Sequence, residues 1–440
     1  MLQIVWVLAT HVPARRIFYP NRSLGWCIRS ACEKLGSTFV KIGQLLAARP
    51  EFFTQEDLAE LKHLFSKARD LPFETIKTES ERELGMRLED AFATFNPHPM
   101  ASASIGQVHQ ATLHTGMDVA VKVMYPGIKE EIRRDTRILR TLLVAAYPFF
   151  RSVRHFRALR VLRQVEGWLA EETDFRRERA NTELMRSVCA VHPELVIPRT
   201  FKNLSTERIL TLELIEGISL NDDMHAENPP DGYDIRASIQ NLIDTMLGPL
   251  FKAHNRPFHA DLHPGNVIAL PGGRVGLIDF GLVGWISPMF LEDITNTLFS
   301  VYLGDVEGAA EGSLHLCNSN ATPTSTYLRD MRRYVKRAPH LGFARWFLDV
   351  GKIMLDHRLT PPLEFSLVAK FVLVIDGLAE QYIPSHTTTS LVGHIIEEAM
   401  MERAMQRLER LSPKGALLIL SEIISGIPPA LLRKMRAMNL

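Results

Sequence analysis

A chain of 440 residues with 51 Lys and Arg against 50 Asp and Glu carries a net charge near +1, which excludes the broad basic field of a nucleic-acid-binding protein. Its length exceeds one typical core and implies two or more domains or lobes. The four cysteines, Cys27, Cys32, Cys189 and Cys317, form neither a CxxC pair nor a metal-ligand spacing, which excludes a disulfide scaffold and fits inert thiols in a reducing, cytoplasmic compartment.

The N-terminal stretch Met1–Ala9 is apolar, but Arg15 and Arg16 follow it, the wrong order for a secretory signal. No segment has the unbroken apolar length of a bilayer span. Residues 1–70 read as helical, with Leu35, Phe39, Ile42, Leu45 and Leu46 on one face. Within this stretch, Lys41-Ile42-Gly43-Gln44 places a glycine inside a helix, which calls for close packing against another element or a ligand. A second amphipathic helix covers 73–90. A short strand at Ala93–Phe95 is expected to end at Pro97 and Pro99.

Ala101, Ser102, Ala103 and Ser104 then form a loop leading into a strand from Ile105. Thr115-Gly116 makes a tight turn to Asp118-Val119-Ala120-Val121-Lys122-Val123, an alternating strand of the type that carries a phosphate-binding lysine in kinases. The segment 128–190 is helical and highly charged, and Glu178 is the candidate for the helix carboxylate that such a lysine needs. A strand at 209–214 carries Glu213, assigned to the cofactor site, and Glu216-Gly217 reads as a hinge.

His259-Ala260-Asp261-Leu262-His263-Pro264-Gly265-Asn266 and Asp279-Phe280-Gly281 have the spacing of a kinase catalytic loop and its metal-binding loop. Phosphate and a divalent ion are hard, so oxygen ligands are required, and Asn266 and Asp279 supply them. Asp261 is placed to orient or deprotonate an attacking hydroxyl or water. His259 and His263 are assigned structural roles. Three kinase features are absent or altered: the phosphate loop is rich in Ala and Ser rather than Gly, Ala260 stands where an Arg is common, and no Ala-Pro-Glu follows Gly281. A long peptide-holding activation segment has little room before the helix expected near Met289.

With Lys-x-Gly-Gln at 41–44, the Ala-rich loop, Glu172-x-Asp174, the 259–266 loop and Asp-Phe-Gly, the chain resembles the UbiB-like atypical kinases, a family tied to ubiquinone biosynthesis. The resemblance runs from about Lys34 to about Pro384. It implies an α+β, protein-kinase-like bilobal fold with an N-terminal helical extension (1–90), an N-lobe (91–215), a mainly helical C-lobe (216–384) and a C-terminal helical extension (385–440). It implies that Lys41 and Gln44 enter the active site, that Lys41 pairs with Glu172, and that Lys122 pairs with Glu178 and contacts phosphate. Ala101–Ser104, Glu172, Asp174, Glu178 and Glu213 are then assigned to cofactor binding, with ATP and Mg2+ as cofactors.

The expected function is a Mg-dependent ATPase or small-molecule kinase supporting ubiquinone biosynthesis. Quinone precursors, lipids or ubiquinone-biosynthesis enzymes are the expected partners, with peripheral contact at the inner membrane surface and no nucleic acid. A nucleotide-sensing pseudokinase scaffold accounts for the capped cleft but not for the retained Asp261. A conventional Ser/Thr protein kinase lacks its peptide platform and its Gly-rich loop.

Overall fold

The computed structural model describes residues 7, 18–47, 53–65, 71–102, 104–146, 158–221, 229–252, 256–317, 319, 321–338 and 343–383. Ala103 and the expected extension at 385–440 lie outside the described residues. The chain divides into two compact units, one running to Ser238 and including His259–Val283, the other made of Ile239–Phe258 and the chain from Gly284 on.

The first unit opens with helices α1 (Leu24–Leu35), α2 (Ser37–Ala47) and α3 (Gln55–Lys62). The sequence suggested one helical face from Leu35 to Leu46. The structure breaks it at Gly36, whose φ of +99° favours glycine and ends α1. Phe39, Ile42 and Leu45 remain on one buried face of α2. A Cβ on Gly43 would meet a Leu64 methyl at 2.6 Å and Cys32 Sγ at 3.0 Å, so the helix-interior glycine exists for close packing. Asp57 closes the capping box of α3 with Thr54 and also accepts from Gly25 N–H at 2.6 Å, tying α3 to α1.

The expected helix over 73–90 is α4 (Phe73–Leu84), stopped by Gly85 in the left-handed region at φ +69°, followed by the short α5 (Leu88–Ala91). Strands β1 (Thr94–Ser102), β2 (Gly106–Thr112) and β3 (Asp118–Met124) follow. The first is longer than expected, because Pro97 and Pro99 do not end it. It lies at the sheet edge, where a missing N–H breaks no ladder bond, and register shifts on either side of Pro99 absorb the irregularity.

Next come α6 (Ile128–Ala146), α7 (Ala158–Glu172) and α8 (Phe175–Cys189), then β4 (Leu195–Val196), β5 (Ile209–Glu213) and β6 (Ile218–Ser219). Strands β1-β2-β3-β5 form one antiparallel sheet. Alternation sorts β3 between two cores. Val119, Val121 and Val123 pack with Ile76, Leu88 and Phe92. Lys122 points to the opposite face, where Phe175 belongs to a second core with Phe39, Ile42, Ile132, Leu169 and Leu210. After helix α9 (Ile235–Leu242) and α10 (Gly248–Lys252) come β7 (Pro257–His259), β8 (Val267–Ala269) and β9 (Val275–Leu277). A second sheet has the order β4-β9-β8-β6; its β8–β9 hairpin separates the catalytic-type loop from Asp279-Phe280-Gly281.

Gly106 is held by backbone proximity. An added Cβ would stand 2.5 Å from the Val123 carbonyl oxygen across the β2–β3 pair. Gly106→Ala is expected to destabilise this unit by about 1–3 kcal/mol, the usual cost of overpacking. Urea unfolding followed by tyrosine and tryptophan fluorescence measures it, and an unchanged midpoint contradicts the close approach.

After β10 (Val283–Trp285), the second unit is helical in its described part: α11 (Pro288–Leu303), α12 (Val306–Leu316), α13 (Ser325–Val335), α14 (Phe343–Asp356) and α15 (Leu363–Tyr382). Ser287 caps α11 by accepting from Phe290 N–H, so the helix starts close to the expected Met289. Its core includes Phe347, Phe365, Val368, Phe371 and Ile375. No helix among the described residues is long and apolar enough to cross a membrane.

Candidate active site

The alternating pattern of β3 sends Lys122 away from its valine neighbours and toward α8. There its ammonium donates to both carboxylate oxygens of Glu178 at 2.9 Å and lies 3.5 Å from Asp279 Oδ1. The Phe175 ring, at the start of α8, lies under the ammonium at 5.2 Å. Lys122 is therefore a bridge between the helix carboxylate and the Asp-Phe-Gly loop, as the sequence predicts for its pair.

Burial works against the charged form of Lys122, but Asp279 and Glu178 outweigh it and raise its pKa, so the ammonium is held protonated. Burial, reinforced by the Asp279 charge, pushes the Glu178 carboxyl up against the opposing pull of Lys122. Asp279 moves the other way. Burial would raise it, yet Lys122, Lys41, His263 and His259 hold it well below the usual carboxylate range. Its side chain is 43 % exposed, so water screens part of that field.

Asp279 is held at φ +61°, a left-handed conformation uncommon for a residue other than glycine. Local contacts impose it. Gly281 N–H donates to Asp279 Oδ1 at 3.3 Å, and Asn181 Nδ2, on α8 one turn beyond Glu178, donates to the Phe280 carbonyl at 3.0 Å. Phe280 is fully buried with its ring centroid 4.9 Å from that of His259. Burial lowers the pKa of His259, whose Nε2–H donates to the Ile278 carbonyl at 3.1 Å. His263 accepts from Gly265 N–H at 3.1 Å and caps the turn Pro264–Asn266. Both histidines thus have structural contacts, the role assigned to them from sequence.

Asn266 is buried and donates from Nδ2 to the Asp261 carbonyl at 3.2 Å, which turns its amide oxygen the other way. Its own carbonyl accepts from Ile278 N–H at 3.1 Å, so the two loops are stitched together by the backbone. Asp261 is partly buried and its charge is felt at Lys41. Lys41, on α2, pairs with Glu172 at the end of α7 at 2.7 Å, with both side chains largely buried. Burial opposes the Lys41 charge, but Glu172, Asp261 and Asp279 together raise its pKa. Glu172 also approaches the Asp-Phe-Gly turn: a Cβ on Gly281 would stand 3.7 Å from its Oε2. Lys41, Lys122, Glu172, Glu178, Asp261, Asn266 and Asp279 are therefore brought together.

Other residues predicted from sequence have partners outside that cluster. The Gln44 amide donates to the Leu64 carbonyl at 3.0 Å. Asp174 caps α8 by accepting from Arg176 N–H at 3.1 Å and pairs with the Arg176 guanidinium at 2.9 Å. Glu213 is paired with Arg199 at 3.2 Å at the end of β5. Ala101 and Ser102 belong to β1, opposite Val108 and Gln107, and Ser104 lies in the bend beyond Ala103. Sequence reading missed Phe175 and Asn181. The signal for Asn181 was its spacing of three residues from Glu178, which puts both on one helix face.

A match to the ABC1 atypical kinase-like domain extends over residues 63–313. The chain belongs to the ABC1 atypical kinase-like family. Within it the chain is UbiB-like. It is 27 % identical over 415 residues to the "Probable protein kinase UbiB" of Marinobacter nauticus, an alignment covering 91 % of this chain and 74 % of that protein. It is 31 % identical over 402 residues to an uncharacterized chloroplastic aarF domain-containing protein kinase of Arabidopsis thaliana, covering 81 % and 72 % respectively. Among solved structures, the Rv3197–erythromycin complex from Mycobacterium tuberculosis is 21 % identical, covers 81 % of this chain and 88 % of its own, and aligns with a TM-score of 0.45. The ABC1 kinase-like domain agrees with the α+β, kinase-like fold expected from the loops, and with an atypical kinase-type protein.

Proposed function

We propose that this ABC1-family protein binds Mg–ATP at the Lys122 cluster and hydrolyses it or transfers its terminal phosphoryl group to a small molecule, in support of ubiquinone biosynthesis. The observation that carries the reading is the bridge from Lys122 to both Glu178 and Asp279, which holds a cation beside the carboxylate best suited to a metal. In a kinase-type site that cation meets nucleotide phosphates and that carboxylate meets Mg2+.

The residues fit a magnesium ion. Asp279 offers a half-exposed carboxylate whose low pKa keeps it ionised, and Asn266 offers an amide oxygen. Among the described residues no cluster of three or more His, Cys, Asp or Glu could hold a metal alone. Mg2+ does not require one, because it takes one or two protein oxygens and fills the remaining positions with phosphate and water. Glu172, Glu178, Asp261 and Asp279 outnumber Lys41 and Lys122, so the site is short of positive charge and a divalent cation complements it.

In this reading Asp261 orients or deprotonates the attacking oxygen, Lys122 binds phosphate, and Lys41 enters from the N-terminal helices. Gln44 anchors the helix that carries Lys41 through its bond to Leu64. In this reading Ser102 and Ser104, at the connection from β1 to β2, face the phosphates, while Asp174 and Glu213 serve the framework through their arginine partners. The lipid character of a quinone pathway favours peripheral contact with the cytoplasmic face of the membrane.

The cellular test is a comparison of quinone precursors in cells with the wild-type chain, without it, and with Asp279→Asn alone. Precursors should accumulate in the last two. Equal precursor and ubiquinone levels in all three overturn the pathway assignment.

A further inference from the structure

Helix α6 carries Lys129, Arg133, Arg137 and Arg140, spaced three or four residues apart and so aligned on one face. At about 1.5 Å per residue the stripe is about 16 Å long. Such a face is ordinarily solvated. Here it lines an open cavity of about 360 Å³ between α6 and α7, whose other walls include Ile132, Thr136, Ala170 and Thr173. Cations around a concavity with an apolar floor have a geometry that a convex helix surface lacks.

The cations are not all neutralised. Arg140 pairs with Glu166 and Lys129 with Glu207. Arg133 and Arg137, both exposed, have no ion pair among the described residues. Beyond these four, Arg176 and Arg208 also lie near Lys129, each paired with carboxylates, Arg176 with Asp174 and Glu207 and Arg208 with Glu83 and Glu130. Lys129 is depressed first by burial, with Asp174 opposing, and further by Arg208, Arg133 and Arg176.

We infer that this groove is a second anion site, separate from the Lys122 cluster, and that it takes a phosphate-bearing ligand across Arg133 and Arg137. Two guanidinium forks one helical turn apart match a diphosphate or a phosphomonoester, since each fork can donate two parallel hydrogen bonds. The volume exceeds that of one phosphate and leaves room for an organic group on Ile132 and Ala170. Thr173 in the cavity wall directly follows Glu172, the partner of Lys41, and none of the lining residues belongs to the Lys122 bridge.

The test is titration calorimetry of the full chain with inorganic pyrophosphate, without nucleotide or magnesium. Vesicle flotation forms a second arm, using phosphatidylcholine with and without phosphatidic acid. The probe variant is Arg133→Gln with Arg137→Gln. The control is Arg134→Gln, exposed on the same helix but outside the cavity wall. These are surface positions, and matched melting curves establish that the variants fold.

Binding of pyrophosphate that the double variant weakens at least tenfold, and the control does not, supports a soluble phosphate ligand. Flotation with phosphatidic acid that depends on the same two arginines, without pyrophosphate binding, supports a lipid phosphate. Equal binding by wild type and double variant, or no binding in either arm, overturns the site. This outcome is independent of the Lys122 reading, because neither arm measures ATP turnover.

Discussion

Asp279→Asn is expected to lower Mg-dependent phosphate release from ATP by about 10²–10³-fold, the loss typical when one preorganised charge-stabilising group is removed. The variant isolates chemistry from folding. Asn tolerates the left-handed backbone that position 279 requires at φ +61°, and its amide can still accept from Gly281 N–H. It cannot offer the full negative charge that Lys122 and Lys41 hold in the ionised form. Phosphate release by the purified chain with Mg2+ and lipid measures the effect. Release by Asp279→Asn at the wild-type rate removes Asp279 from the reaction.

Glu178→Ala carries the second large effect, and it falls on stability as well as activity. The Lys122 and Glu178 side chains are only 12 % and 6 % exposed, so removing the carboxylate strands a buried ammonium with Asp279 as its remaining partner at 3.5 Å. Breaking such a pair costs about 3–5 kcal/mol. The double substitution Lys122→Met with Glu178→Leu is expected to recover much of this, because a packed apolar pair avoids the desolvation that both charges suffer. Nucleotide turnover should stay absent in both variants. Chemical denaturation reports the stability, and a loss under about 1 kcal/mol for Glu178→Ala would mean that Asp279 alone suffices to hold Lys122.

The residues whose chemistry is fixed by spacing were the legible part. Asp261, Asn266 and Asp279 are set by two short loops joined through a three-residue-strand hairpin, so local sequence determines their neighbourhood. Lys122 was legible because an alternating strand decides its face. Glu178 required a choice among many acids in 171–183, and only the close approach of α8 to β3 singles it out. Asp174 is open to a second role: an acid ahead of a helix satisfies orphan N–H groups as readily as it binds a cofactor, and here it caps α8.

Gln44 was hidden by tertiary packing. Its partner is a backbone carbonyl twenty residues away, and nothing in the local pattern announces that contact. The strand through Pro97 and Pro99 escaped because edge position, which makes proline harmless, is a property of the sheet. The break at Gly36 escaped because the apolar spacing runs through it, and only the positive φ shows the helix ending there.

The Lys122, Asp261, Asn266 and Asp279 cluster is proposed as a Mg–nucleotide site. Equilibrium binding of ATP to the wild-type chain, with and without Mg2+, tests it most directly. Binding is expected to saturate and to weaken at least tenfold when Mg2+ is removed, the free-energy equivalent of about 1.4 kcal/mol. Absence of binding with Mg2+ present, or identical affinity with and without it, would rule out a Mg–nucleotide site at this cluster.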